Sequence, residues 1–403
     1  MLKKIPVEKV RQGMYMQQLC GSWLNSPFWQ TSFAIDAPEL VHQVRNCGVR
    51  EIWIDVTRGL DVMEAAATMT AQPASAGSAP RFRFSNVDST PVAEELERAA
   101  RLVQHSKEAV NTMFNEARMG RLSNVASAMP LVEEIAASVL RNPGALISLV
   151  RLKQADDYTY LHSVAVCALM AALARQLGLD DEEIRECALG GLLHDIGKMA
   201  VPHNILNKPG KLTDAEFGAV KGHPAAGYSL LAEAQGASSI ALDVCLHHHE
   251  KYDGSGYPHG LKGEEISRHA RMGAICDVYD AITSDRPYKA GWCPAESLRK
   301  MAEWTKAGHF DPAIFNAFVK CIGIYPVGTL VRLRSGRLGV VLDNTKSLLQ
   351  PLVRVFFSTK STSYIPPENV DLALPGLQES IAAREDAATW NLRDIERYWL
   401  NPA

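Results

Sequence analysis

The chain has 403 residues and a mass of 44.2 kDa, too long for one ordinary domain and long enough for two or three. Hydrophobic residues make up 47% and charged residues 22%, which excludes a disordered, collagen-like or coiled-coil protein. With 42 basic against 45 acidic residues the formal net charge is -3, so nothing points to a DNA or RNA duplex or to an anionic membrane surface.

No apolar run approaches the roughly 18 residues of a membrane span. The start, MLKKIPVEKVRQGM, has paired lysines but no apolar stretch behind them, so no secretory leader is expected. Eight cysteines are scattered without a CxxC pair, which reads as reduced thiols and a cytoplasmic location.

Residues 1–64 read as a small α/β domain: Glu51 to Val56 alternates polar and apolar residues like a half-buried strand, and Pro38 to Val49 has helical spacing. Residues 65–91 are rich in Ala, Ser, Pro and Gly, the composition of a flexible linker. Asp88 to Pro91 then starts a helix, with Glu94, Glu95 and Glu97 in its first turns where the helix dipole favours anions. Connecting helices are expected over 92–149 and a helical core over 150–325. Gly328 to Leu333, Gly339 to Leu342 and Leu352 to Phe357 are β-branched runs that predict a short β appendage over 326–375. A polar helical tail is expected over 376–403. The predicted fold class is mainly α, between a small α/β domain and a β appendage.

Ten of the twelve histidines lie between 162 and 309. His162 falls on the helical stripe of Val166, Leu169 and Leu173, where a lone histidine is ordinarily a satisfied core residue. His194 and Asp195 are adjacent, so on a helix they point about 100° apart and can converge only where the helix ends, which Gly197 allows. His223 precedes Pro224, which biases it away from helical geometry. His247-His248-His249-Glu250 follows an apolar helical stretch and leads into the glycine-rich loop Asp253 to Pro258. Buried imidazoles in number are costly unless hydrogen-bonded or metal-bound. Imidazole and carboxylate without thiolate suit Fe, Mn or Zn in a hydrolytic site. Adding Asp277 gives enough ligands for two ions, which requires one bridging carboxylate.

With His162, His194-Asp195 and Asp277 in place, the chain resembles the HD superfamily of metal-dependent phosphohydrolases. His248-His249-Glu250 and Asp253-Gly254-Ser255-Gly256-Tyr257-Pro258 resemble the HD-GYP family of cyclic di-GMP phosphodiesterases more specifically. Pro202 to Thr213, Lys221 to Pro224 and Asp277 to Tyr288 agree with that family, so the likeness covers roughly residues 150 to 320. Gly13-Met14-Tyr15, Trp23 and Pro27-Phe28 resemble an uncharacterised domain often found before such modules.

The resemblance implies an all-helical HD-type domain that hydrolyses cyclic di-GMP through a hydroxide activated by two metals, with linear pGpG as product and further cleavage to GMP left open. Two divalent transition-metal ions, Fe or Mn, are the implied cofactors. His162, His194, Asp195 and Asp277 would hold one ion, and His223, His248 and His249 the other, with Asp195 bridging. Lys198 is carried over as a charge partner in catalysis, and Tyr257, Arg286 and Lys289 as substrate contacts. An ion pair between Arg286 and Asp280 or Asp285 is the structural alternative. Some family members bind a third metal through a Glu four residues before the first ligand histidine. That position is Tyr158 here, so two metals are expected. His247 is extra to the pattern and expected to be structural. Diguanylate cyclase (GGDEF) proteins are candidate partners and a homodimer a candidate assembly. The alternative function is a catalytically weak receptor or interaction module that binds such partners.

Overall fold

The computed structural model describes residues 2–20, 33–35, 41, 44–45, 51–60, 84, 87–151, 158–206, 208, 210–284, 291–345 and 347–400. The chain divides into two units, Met1–Ala79 and Pro80–Ala403. In the first, β1 (Leu2–Pro6), β2 (Tyr15–Cys20), β3 (Phe33–Ala34) and β4 (Glu51–Asp55) form an antiparallel sheet in the order β1-β4-β2-β3. The expected strand forms as β4, and its alternation places Ile52 and Ile54 in a core with Ile5, Met14 and Met16. The helix expected over Pro38 to Val49 and the linker over 65–91 lie almost wholly outside the described residues.

The second unit opens with α1 (Val92–Arg118), for which Pro91 is the N-cap and Glu94 and Glu95 the acidic first turn. Glu95 is fully buried. It accepts from Arg141 Nε at 2.7 Å and from Ser138 Oγ at 2.8 Å, which ties α1 to α2 (Met129–Arg141). After α3 (Pro143–Arg151), α4 (Tyr158–Gln176) is buried from Leu161 to Ala174 on every side, the signature of a central helix. It packs on α5 (Asp181–Leu193), where a Cβ on Gly191 would come within 2.8 Å of the Val166 carbonyl oxygen. The short α6 (His203–Leu206) and α7 (Asp214–Lys221) precede α8 (His223–Glu233) and α9 (Ser239–His247). The long α10 (Arg268–Thr283), then α11 (Pro294–Lys306) and α12 (Pro312–Ile322), complete the helical core. Among the described residues no helix is long and apolar enough to cross a membrane.

The appendage is an antiparallel sheet in the order β8-β7-β6-β5-β9, built from β5 (Leu330–Leu333), β6 (Arg337–Asp343), β7 (Leu352–Ser358), β8 (Ser363–Asp371) and β9 (Ile381–Arg384). The three expected strands are present, and β8 and β9 add to them. The helical tail expected over 376–403 does not form as such: Ile381–Arg384 pairs with β5, and among the described residues only α13 (Arg397–Leu400) is α-helical there. The reason lies in the pairing. As an edge strand, β9 pairs on one side only and alternates between half-buried and exposed positions, with Ile381 packed on the apolar cluster of the sheet. Its residues, Ile-Ala-Ala-Arg, include two alanines, the best helix formers, so local composition alone reads as helix.

Candidate metal centre

Five helices deliver side chains to one buried point. α4 supplies His162, which is 2% exposed in mid-helix. α5 ends at Leu193, so His194 is still helical (φ -51°, ψ -36°) while Asp195 has left the helix (φ -101°, ψ 7°). The break turns two neighbouring side chains toward the same centre. Gly197 then allows α8 to close over the turn, because a Cβ there would collide with the His223 carbonyl oxygen. His223 opens α8 with Pro224 in its first turn, so the expectation that Pro224 drives His223 out of the helix does not hold. A proline in the first turn forfeits only an N–H that has no intrahelical partner. His248 caps the C-terminus of α9 with His249 next to it, and Asp277 comes from α10.

These side chains form two groups that share one carboxylate. His162, His194 and Asp277 converge as one cluster, and Asp195, His223, His248 and His249 as another. Asp195 Oδ2 lies 3.3 Å from His194 Nε2 and 3.5 Å from His162 Nε2. Its other oxygen, Oδ1, lies 3.2 Å from His223 Nε2 and 3.8 Å from His248 Nε2. Asp277 Oδ1 is 3.0 Å from His162 Nε2, and its Oδ2 is 3.9 Å from His249 Nδ1.

The protonation pattern shows that this cluster fits cations. His194 Nδ1 donates to the Gly191 carbonyl at 2.8 Å and His223 Nδ1 to that of Val220 at 2.8 Å. His248 Nδ1 donates to the Cys245 carbonyl at 2.9 Å, and His162 Nδ1 to Asp280 Oδ2 at 2.6 Å. Each partner is an oxygen that can only accept, so every Nδ1 carries the proton. Burial pushes the His248 imidazole well below its ordinary pKa, helped by His249 and His194, and pushes His249 down to about 4. Rings that donate through Nδ1 turn Nε2 inward. His223 and His248 face each other at 3.3 Å, and His162 and His194 at 3.2 Å. Among the described residues, Asp195 Oδ1 has no hydrogen-bond partner although it is buried. Facing lone pairs and an orphaned carboxylate oxygen are costly unless a cation sits between them. A divalent metal suits this thiolate-free donor set.

Surrounding contacts sharpen the donors. Burial opposes the Asp195 charge, but Lys198, at 2.5 Å from Oδ2, and His194 hold the carboxyl well below the usual range. Burial likewise opposes protonation of His162, yet Asp277 and Asp280 outweigh it and make the ring more basic than ordinary imidazole. A carboxylate behind a ligand histidine fixes the ring and strengthens it as a donor. The sequence reading considered Asp280 only as an ion-pair partner for Arg286 and missed this contact. Its signal was the i,i+3 spacing of Asp277 and Asp280 on one helix.

The signature loop folds back over the cluster. Buried Glu250 accepts from the backbone N–H groups of His259, Gly260 and Leu261 at 2.7, 3.1 and 3.1 Å. The Tyr257 ring stacks on His249, with centroids 4.7 Å apart and planes at 30°. Burial pushes the Tyr257 hydroxyl pKa up, so it remains a donor. His247 is outside both clusters, as expected: its Nδ1 donates to Asp243 at 2.7 Å and its Nε2 lies 3.1 Å from His259 Nδ1. Arg286 and Lys289 lie outside the described residues. Tyr158 opens α4 one turn ahead of His162, and its side chain is likewise outside them.

Comparison with known proteins agrees in two parts. The HD domain family matches residues 125–314, and a domain of unknown function (DUF3391) matches residues 2–128. The chain is 55% identical over 414 residues to cyclic di-GMP phosphodiesterase PA4108 of Pseudomonas aeruginosa, covering 100% of this chain and 97% of that protein. It is 44% identical over 179 residues to the cyclic di-GMP phosphodiesterase response regulator RpfG of Xanthomonas campestris pv. campestris, covering 43% of this chain and 47% of that protein. It is 37% identical over 165 residues to 3'3'-cGAMP-specific phosphodiesterase 1 of Vibrio cholerae, covering 41% and 38% respectively.

Proposed function

The chain belongs to the HD-GYP family of HD-domain proteins, preceded by a DUF3391 domain, and from that premise we propose that it hydrolyses cyclic di-GMP to linear pGpG with two divalent metal ions, Fe or Mn. The observation that carries this reading is the orphaned Asp195 Oδ1 among inward-facing imidazole nitrogens. His162, His194 and Asp277 would hold one ion and His223, His248 and His249 the other, with Asp195 presenting one oxygen to each. When bound, the pair of ions supplies Lewis acidity to a phosphate and lowers the pKa of the attacking water.

The remaining steps fall to the chain. Asp195 keeps its charge because Lys198 compensates it, and the Lys198 ammonium, still a quarter exposed, remains within reach of an entering phosphate. The Tyr257 hydroxyl, held protonated by burial, donates to a phosphate oxygen. Arg286 and Lys289 would neutralise the substrate's two phosphates, Arg as a fork and Lys as a point charge. Burial of the cluster keeps bulk water from competing for these contacts. We place the catalytic domain at 150–325 and the reaction in the cytoplasm, where the free Cys167, Cys187, Cys245 and Cys276 stay thiols.

The test is metal analysis of anaerobically prepared protein together with turnover of cyclic di-GMP, with the His194→Ala, Asp195→Ala double variant as control. About two transition-metal ions per chain and turnover that the control lacks are expected. Tight binding of cyclic di-GMP without turnover would replace this reading with the receptor. A metal-free chain that still turns over substrate would refute the two-metal site.

A further inference from the structure

Three contacts lead from the metal cluster to the surface. His249 stacks on Tyr257 at 4.7 Å. The Lys221 ammonium sits 5.2 Å from the centroid of the Tyr257 ring, and the same nitrogen sits 4.9 Å from that of Phe217. Phe217 and Lys221 are four residues apart on α7, so they share one face. Phe217 ends the row with 48% of its surface exposed.

A single exposed aromatic is ordinary on a protein surface. This one is held in place from two sides. α7 begins with a capping box in which Thr213 and Glu216 satisfy each other's backbone N–H groups. Lys208 anchors Glu216 with contacts of 2.7 and 2.8 Å. The ammonium between two rings is a cation–π arrangement that keeps Lys221 beside the phosphate-facing Tyr257. A rigid, solvent-facing ring beside a fixed cation, one residue outward from a phosphate donor, has the composition of a purine subsite.

We propose that Phe217 and Lys221 bind a guanine base of the cyclic dinucleotide, an inference that rests on the phosphodiesterase reading. The base stacks on the exposed face of Phe217, as bases stack on aromatic platforms in single-strand binders. Lys221 donates to the guanine O6 and N7 acceptors. Adenine places an N6 donor where guanine has O6, so the same lysine disfavours it. Phe217 thereby sets affinity for a purine, and Lys221 sets which purine.

Steady-state kinetics on cyclic di-GMP, cyclic di-AMP and bis(4-nitrophenyl) phosphate, a diester without a base, test this on the metal-loaded full chain. Phe217→Ala should raise KM for cyclic di-GMP roughly tenfold relative to KM for the aryl diester, with Phe217→Trp restoring it. Lys221→Met should narrow the preference for cyclic di-GMP over cyclic di-AMP by roughly tenfold. A parallel loss on the aryl diester would make Phe217 a support for α7 and overturn the subsite. So would an unaltered KM for cyclic di-GMP. A wild-type chain that cleaves the aryl diester but no cyclic di-GMP would sink the substrate reading and the subsite together.

Discussion

Asp195 Oδ1 lies 3.2 Å from Nε2 of His223, whose Nδ1 is turned to the Val220 carbonyl. Asp195 is held ionised by Lys198 against its own burial. A cation between the two atoms would satisfy both. Because Asp195 also reaches the His162 and His194 side through Oδ2, Asp195→Ala should lose both metals, whereas His223→Ala should empty mainly one site. Elemental analysis of the two variants decides, and full occupancy in Asp195→Ala would remove the bridge.

The contact of His162 Nδ1 with Asp280 at 2.6 Å predicts a graded effect instead. Asp280→Asn keeps the shape but takes away the charge that makes the ring basic. Metal affinity should fall roughly 10- to 100-fold, read by competition with a chelator. Affinity equal to wild type would show that Asp280 only fills space beside Ser284.

His259 ties the signature loop to α9 through His247, which is itself held by Asp243. His259→Leu should loosen the Tyr257 loop and raise KM for substrate while metal content holds. His259→Asn, whose amide nitrogen replaces Nδ1, should rescue it. If the loop acts through Tyr257, the loss should shrink in a Tyr257→Phe background. Additive losses in that double-mutant cycle would count against the tether.

Arg286 is proposed to hold phosphate and is not proposed as a metal ligand. Loss of one charge-assisted contact costs on the order of 1.5–3 kcal/mol, so Arg286→Ala should raise KM roughly tenfold or more with metal unchanged. Metal loss in this variant would instead assign the segment after Asp277 to supporting the site. Unaltered kinetics would leave Arg286 as an ion-pair residue.

The buried Glu95 predicts a pH dependence of stability. Burial raises its pKa, but the Arg141 and Ser138 contacts outweigh burial and leave the folded value depressed. Its contribution is therefore complete above the unfolded carboxyl value and is lost as pH falls through the lower folded value. Glu95→Ala leaves Arg141 without its partner and should destabilise the second unit by about 3 kcal/mol, the low end for a buried pair because Arg141 is partly exposed. Acid unfolding curves of wild type and variant should converge at low pH. A constant gap between them would show that Glu95 does not titrate with folding.

The sequence alone was sufficient for what depends on neighbours along the chain. The His194-Asp195 and His248-His249 pairs, the glycine loop around Tyr257, the helical period of α4 and the β-branched runs of β5 to β7 are all local patterns. Backbone geometry over a few residues writes them directly, whereas the division of candidate ligands between two ions rested on the family resemblance. Tertiary structure decided what depends on which helices touch. Asp280 meets His162 across 118 positions because α10 packs beside α4. Lys221 reaches Tyr257 because α7 and the signature loop close on one another. The alanine-containing β9 is a strand rather than a helix because β5 offers it an edge. Even the sharing of Asp195 between two clusters required the α5 terminus and α8 to be brought together over Gly197. Such contacts come from packing complementarity between distant surfaces, which leaves no periodic trace in either segment.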